Sequence, residues 1–179
     1  EFALLDARFA ARIPDELDAV TAGPLLCAGL TAWSALARCN VQAGQNLLVV
    51  GAGGLGQYAI EIARARGLRV AVAEPDRQRR AEALALGADL AVPPDAVQEL
   101  RDWGGADITL NFAPTPRVWD LIAEIANPLS QIVAVALVHD PVPLSMMWLI
   151  DGGHTVMGTS VGTRAELRQF LDFARTHGF

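Results

Sequence analysis

The 179-residue sequence predicts an α/β fold: a doubly wound, parallel, six-stranded sheet with helices on both faces. Three observations lead there. Short apolar runs alternate with helical patterns about six times along the chain. The run at residues 47–50 ends in Gly51-Ala52-Gly53-Gly54-Leu55-Gly56 and passes at once into a helical pattern. The next run, 68–73, ends in Glu74, 18 positions beyond Gly56. Strand, glycine turn, helix, strand and acid in that order form a dinucleotide-binding fingerprint of the Rossmann type.

Each part of the fingerprint has a physical task. Gly51 permits the turn off the strand, Gly53 removes a Cβ from the path of a pyrophosphate, and Gly56 lets the helix pack close to the strand. The helix start offers unpaired N–H groups and the positive end of its dipole. Glu74 is placed to accept the hydroxyls of an adenosine ribose. The alternative is a plain βα turn with Glu74 as a solvated strand end.

The remaining elements follow in order. Two short extended patterns, 2–5 and 9–13, come before Pro14. A short helix is expected over 15–20, capped by Asp15, and a largely buried helix over 21–39, starting near Pro24. Within it, composition alone reads Cys27 as a small core hydrophobe. The fingerprint helix buries Leu55, Ala59, Ile62 and Ala63 and stops at Gly67. A helix over 76–86 carries Arg77, Arg79 and Arg80 early, with Arg77 and Arg80 on a solvated face. A third strand at 89–92 stops at Pro93-Pro94. There follow a helix over 95–103, a strand at 107–112, a helix over 115–126 and a strand at 131–137 that reads as buried on both sides. An apolar helical turn at 144–150, an edge strand at 155–157 and a helix with a Thr163–Glu166 capping box complete the series. That last helix buries Leu167, Phe170, Leu171 and Ala174.

Composition narrows the function. Hydrophobic residues make up 52% and charged residues 19%, so the chain can build a core. A net charge of −6 argues against nucleic-acid binding, and no apolar run is long enough to span a membrane. With two cysteines, Cys27 and Cys39, there is no disulfide framework, and a cytoplasmic setting is expected. No signal peptide is expected, and the missing initiator Met suggests a piece of a longer chain. All 14 basic residues are Arg. Without Lys there is no P-loop, no lysine Schiff base and no Tyr-x-x-x-Lys centre.

Four stretches carry a family resemblance: IPDELDAVTAGPLLCAGLTAW (13–33), the glycine turn, AEALALGAD (81–89) and GTSVGTRAELRQFLDFA (158–174). The chain resembles the cofactor-binding domain of zinc-dependent medium-chain alcohol dehydrogenases, most of all the bacterial and yeast-type branch acting on small alcohols. The resemblance implies residues 1–22 as a remnant of the catalytic domain and 23–179 as the dinucleotide-binding domain. It implies Cys27 as a ligand of a catalytic zinc, reversing the reading from composition, and Thr31 as a catalytic-site residue beside the nicotinamide. The other zinc ligands have no counterpart here, since His139, His154 and His177 do not match, so zinc belongs to the full-length enzyme and the fragment alone is expected to be inactive.

For the cofactor NAD, the resemblance assigns Gly51, Gly53, Gly54, Leu55 and Gly56 to the pyrophosphate. It assigns Glu74 and Arg79 to the adenosine ribose, and Phe112, Ala113, Val135 and Leu137 to the nicotinamide end. Two departures stand out. Asn127-Pro128-Leu129-Ser130 replaces the usual Pro-Gly-Gly turn, and Ala136 sits where glycine is usual. The implied activity is hydride transfer between a small alcohol and NAD in a homodimer or homotetramer, with the apolar edge at 144–157 as the contact. A zinc-free NADPH quinone or enoyl reductase, a non-catalytic nucleotide-binding module and an S-adenosylmethionine methyltransferase are the other readings.

Overall fold

The computed structural model describes Leu4 and residues 6–178. Its frame is a sheet of six parallel strands in the order β3-β2-β1-β4-β5-β6. The strands are β1 (Asn46–Val50), β2 (Arg69–Ala73), β3 (Leu90–Val92), β4 (Ala106–Asn111), β5 (Ala126–Ala134) and β6 (Thr155–Gly158). The chain starts at the centre with β1, winds outward to β3, then returns to β4 on the other side of β1. The β1/β4 boundary is therefore the switch point, where connections leave in opposite directions and a crevice opens beyond the strand ends.

Both faces of the sheet are covered. Along β1, Leu47 and Val49 join one core and Leu48 and Val50 the other. Val70 and Val72 of β2 alternate with Ala71 and Ala73 in the same way. This is the period of two expected of a strand, with apolar side chains at every position after the opening Asn46 and Arg69 because neither face meets water. Over the first core lie α2 (Leu30–Ala37), α3 (Gly54–Ala65), α4 (Arg77–Ala85) and α8 (Arg164–His177). The second core is covered by α5 (Val97–Trp103), α6 (Val118–Ile125) and α7 (Met146–Asp151).

The amino-terminal segment differs from expectation. The extended pattern at 2–5 falls outside the described residues apart from Leu4. In place of the start of the second pattern there is a 3-10 turn, Ala7–Phe9, capped by Asp6. The helix expected from Asp15 starts instead at Ala19, as α1 (Ala19–Pro24). Asp15 is engaged by Arg12 at 2.7 Å, and Asp18 accepts the Val20 N–H at 3.1 Å. The long buried helix is one run from Ala19 to Ala37 with a widened π turn at Leu25–Gly29, directly after Pro24, which has no N–H to add to the ladder. The run crosses the 22/23 boundary without a break.

At β5 the strand starts earlier and stops earlier than periodicity suggests. Pairing moves from Ala106↔Ala126 to Ile108↔Gln131, so Asn127-Pro128-Leu129-Ser130 bulges out of the ladder. Beyond Ala134, the N–H groups of Val135 and Ala136 both donate to the Asn111 carbonyl, which turns the chain off the sheet. Leu137 is consequently 85% exposed rather than buried. In the bulge, Leu129 holds a φ of 64°, a left-handed conformation that disfavours any residue with a Cβ. Elsewhere the expected elements are found within about three residues of their ends, but Leu55 of the fingerprint helix is only half-buried, and the helix expected from 115 starts at Val118. Gly67 turns the chain at φ 76°, and the Thr163–Glu166 capping box is formed; of its four expected core residues Leu167 is only half-buried.

Two expected outcomes follow. Leu129→Gly removes the left-handed strain at an exposed site, so it should raise stability by up to about 1 kcal/mol, read as the urea midpoint. His154, next to the bulge, stacks on Trp148 at 4.1 Å and shares a 2.8 Å hydrogen bond with Ser130. Burial lowers its pKa below the ordinary 6.5. The unfolded chain then binds a proton more readily than the folded one, and this contribution to stability is lost as pH falls below about 6.5. His154→Gln should show a flatter dependence of the urea midpoint on pH between 7 and 5; an unchanged slope would count against this.

Candidate functional site

The crevice at the switch point is a cleft of about 340 Å³. It lies at the carboxyl ends of β1, β2 and β4, where Val50, Ala73 and Phe112 line it. The ladder is extended there by Gly51 N–H to the Ala73 carbonyl at 2.9 Å and Phe112 N–H to the Val50 carbonyl at 2.8 Å. The Asn111 side chain accepts the Ala113 N–H at 3.0 Å and shapes the loop that follows β4.

The glycine turn forms the floor. Gly51 has a φ of 92°, accessible to glycine at no steric cost. A methyl on Gly56 would collide with the Gly51 carbonyl oxygen and lie 3.3 Å from Val49 Cγ1. The close packing of helix on strand expected of this glycine is therefore present. Gly53 and Gly54 face open space. Gly53 caps α3 without a side chain, and the first bond of that turn is Gln57 N–H to the Gly53 carbonyl. The amides of the opening turn thus border the cleft with no side-chain cap, a cradle suited to a phosphate.

Glu74 ends β2 and is only 3% exposed, so it is not a solvated strand end. Its carboxylate accepts the Ala52 N–H at 2.8 Å and the Asp76 N–H at 3.0 Å. The acid therefore braces the glycine turn as well as lining the cleft. Arg79 lines it too, at the start of α4 beyond the Asp76 cap. Arg80 is not the solvated residue expected: its guanidinium donates to the carbonyls of Glu74 and Pro75, each at 2.7 Å.

A second recess of about 360 Å³ shares Leu55, Phe112 and Pro114 with the cleft, so the two form one groove. Thr31, Val135 and Leu137 lie here. The groove therefore collects Gly51, Gly53, Gly54, Leu55, Gly56, Glu74, Arg79, Phe112 and Ala113 at one end and Thr31, Val135 and Leu137 toward the other. Ala136 lines the recess as well. Sequence reading missed Pro75, Pro94 and Thr115 at the first end and Ser160 and Val161 at the second. Pro94 could have been found from the strand-end rule, because it follows β3; Ser160 and Val161 carry no signal of their own.

Cys27 is exposed on the π turn, which overturns the core reading that composition suggests. Its carbonyl accepts the Thr31 hydroxyl at 2.7 Å. Cys39 is the buried thiol, pushed up to about 11 by burial and so unreactive at neutral pH. Among the described residues no group of three His, Cys, Asp or Glu side chains could hold a metal. A catalytic zinc needs about three protein ligands, and among the described residues Cys27 belongs to no such group.

The family model for zinc-binding dehydrogenases matches residues 54–176. The chain belongs to the zinc-binding dehydrogenase family. It is 36% identical over 172 residues to a probable formaldehyde dehydrogenase, AdhA, of Bacillus subtilis (strain 168), covering 96% of this chain and 49% of that protein. It is 32% identical over 178 residues to an alcohol dehydrogenase of Geobacillus stearothermophilus, covering 97% and 52%. Among solved structures, the cinnamyl alcohol dehydrogenase SbCAD4 of Sorghum bicolor superposes with a TM-score of 0.84 at 32% identity, covering 94% of this chain and 48% of that one. The chain thus spans about half the length of the curated relatives it matches.

Gly56→Ala should lower stability by about 1–3 kcal/mol, since the added methyl meets backbone that cannot yield. Denaturant unfolding checks this, and a wild-type midpoint would contradict the close packing of α3 on β1.

Proposed function

We propose that this chain is the NAD(H)-binding part of an alcohol dehydrogenase that transfers hydride between a small alcohol and NAD. The observation that carries the reading is Glu74: a buried acid at the end of β2, in the same cleft as the glycine turn. A carboxylate there accepts hydrogen bonds from ribose hydroxyls and repels a 2′-phosphate. Family membership and the alcohol dehydrogenase relatives support the reaction class.

In this reading the amides of the α3 turn and Gly51 to Gly56 receive the pyrophosphate. Glu74 and Arg79 hold the adenosine ribose. Phe112, Ala113, Val135 and Leu137 line the path to the nicotinamide, and Thr31 stands beside it. Bound NAD supplies the hydride acceptor. Residues 1–22 belong with the substrate domain, and the alcohol site is completed by parts of the longer enzyme. Zinc is assigned to that enzyme. Cys27 alone does not make its site.

A homodimer or homotetramer is proposed, supported by exposed Met146, Met147 and Ile150 leading into the edge strand β6. A cytoplasmic setting is proposed from the two free cysteines. No helix among the described residues is long and apolar enough to cross a membrane.

Calorimetric titration tests the assignment. NADH should bind saturably, and NADPH at least about tenfold more weakly because its 2′-phosphate meets Glu74. Tighter NADPH binding, or no saturation with NADH, would overturn it.

A further inference from the structure

The recess that holds Thr31 is also lined by Ser160 and Val161, in the loop between β6 and α8. Val161 has a φ of 52°. A β-branched residue stays in that conformation only where its surroundings hold it, and here they hold it from both sides. Before it, the Thr159 N–H donates to the Ala134 carbonyl at 3.2 Å, and the Thr159 hydroxyl oxygen accepts the Arg38 Nε–H at 2.6 Å. After it, Gly162 lies so close to α2 that a methyl there would meet Leu30 Cδ1 at 2.8 Å and Ser34 Cβ at 3.2 Å. Glu166 then serves twice. One carboxylate oxygen accepts the Thr163 N–H at 2.6 Å in the capping box, and the other accepts the hydroxyl of fully buried Ser34 at 3.0 Å. Leu30, Thr31 and Ser34 belong to α2, and Arg38 caps its end. The helix that brings Thr31 to the recess therefore grips the loop on either side of Val161.

We propose that Ser34, Arg38 and Glu166 are positioning residues that hold the strained Ser160–Val161 segment as a wall of the recess, and so set how tightly the nicotinamide half of NAD(H) is bound without affecting the adenosine half. The proposal rests on the NAD(H) reading above. None of the three lines either part of the groove, so they act through the loop. The Thr163 amide holds the Glu166 carboxyl below the usual carboxylate range. The tie to Ser34 is accordingly a hydrogen bond to a charged acceptor, stronger than one between neutral groups.

The test uses the full chain with two ligands: NADH, and ADP-ribose, which lacks the nicotinamide. Calorimetry gives both affinities, and the fluorescence enhancement of bound NADH reports the surroundings of its dihydronicotinamide ring. Ser34→Ala and Arg38→Met should each weaken NADH about fivefold, the scale of one lost hydrogen bond. Both should lower the enhancement while leaving ADP-ribose within about twofold of wild type. Arg38 is exposed, so its variant keeps the core intact. Equal weakening of both ligands, or no change in either, overturns the positioning role and leaves the NAD(H) reading standing. Failure of wild type to bind ADP-ribose overturns both.

Discussion

The groove depends on how near the first turn of α3 comes to the end of β1. Gly56 has no Cβ, so the helix can sit on the Gly51 carbonyl and against Val49. That approach aims the helix start at the crevice rather than past it. It also leaves room for Glu74 to reach across from β2 and take the Ala52 amide. A side chain of one carbon at position 56 would lift the helix, and the turn, the acid and the neighbouring strand ends would no longer share one cleft.

The opposite end of the sheet is held by polar bonds. Asp107 accepts the Asn46 N–H and an Asn127 amide hydrogen, while Asn46 and Asn127 both donate to the Gly104 carbonyl. These bonds fix β1, β4 and the start of β5 relative to one another at their amino ends. At the carboxyl ends Glu74 accepts the Ala52 amide, and the opening amides of α3 border the cleft with no side-chain cap. One end is closed by side-chain amides and the other is open to chemistry, a division common in open parallel sheets.

Much of this was legible in the sequence. Alternating runs of period two and period 3.6 were enough for the sheet and its helices, since burial on both faces leaves a strong pattern. The glycine turn and Glu74 were legible because each task admits few residue types. The failures have specific physical causes. Helix α1 starts at Ala19 because Asp18, and not Asp15, accepts an amide of its first turn, that of Val20, and the sequence offers both acids to a capping rule. Strand β5 ends at Ala134 because two amides converge on the Asn111 carbonyl, a bond pattern unrelated to side-chain identity. Cys27 was misread because a free cysteine is usually a core residue, whereas here it sits on the exposed side of the π turn. Val161 gave no hint, since its role comes from backbone held by distant residues.

The two amide bonds of Glu74 have a consequence for redesign. Cofactor preference in such domains is usually thought of as a matter of what the acid repels or accepts. Here the same carboxylate is a structural strut of the phosphate turn. Exchanging it for a small neutral residue to admit a phosphorylated ribose would orphan the buried Ala52 amide, a loss of about 1–3 kcal/mol, and would loosen the turn that any dinucleotide must use. Under the proposed NAD(H) reading, Glu74 would serve both the choice between cofactors and the bracing of the turn. A change of preference therefore has to bring with it a new acceptor for Ala52.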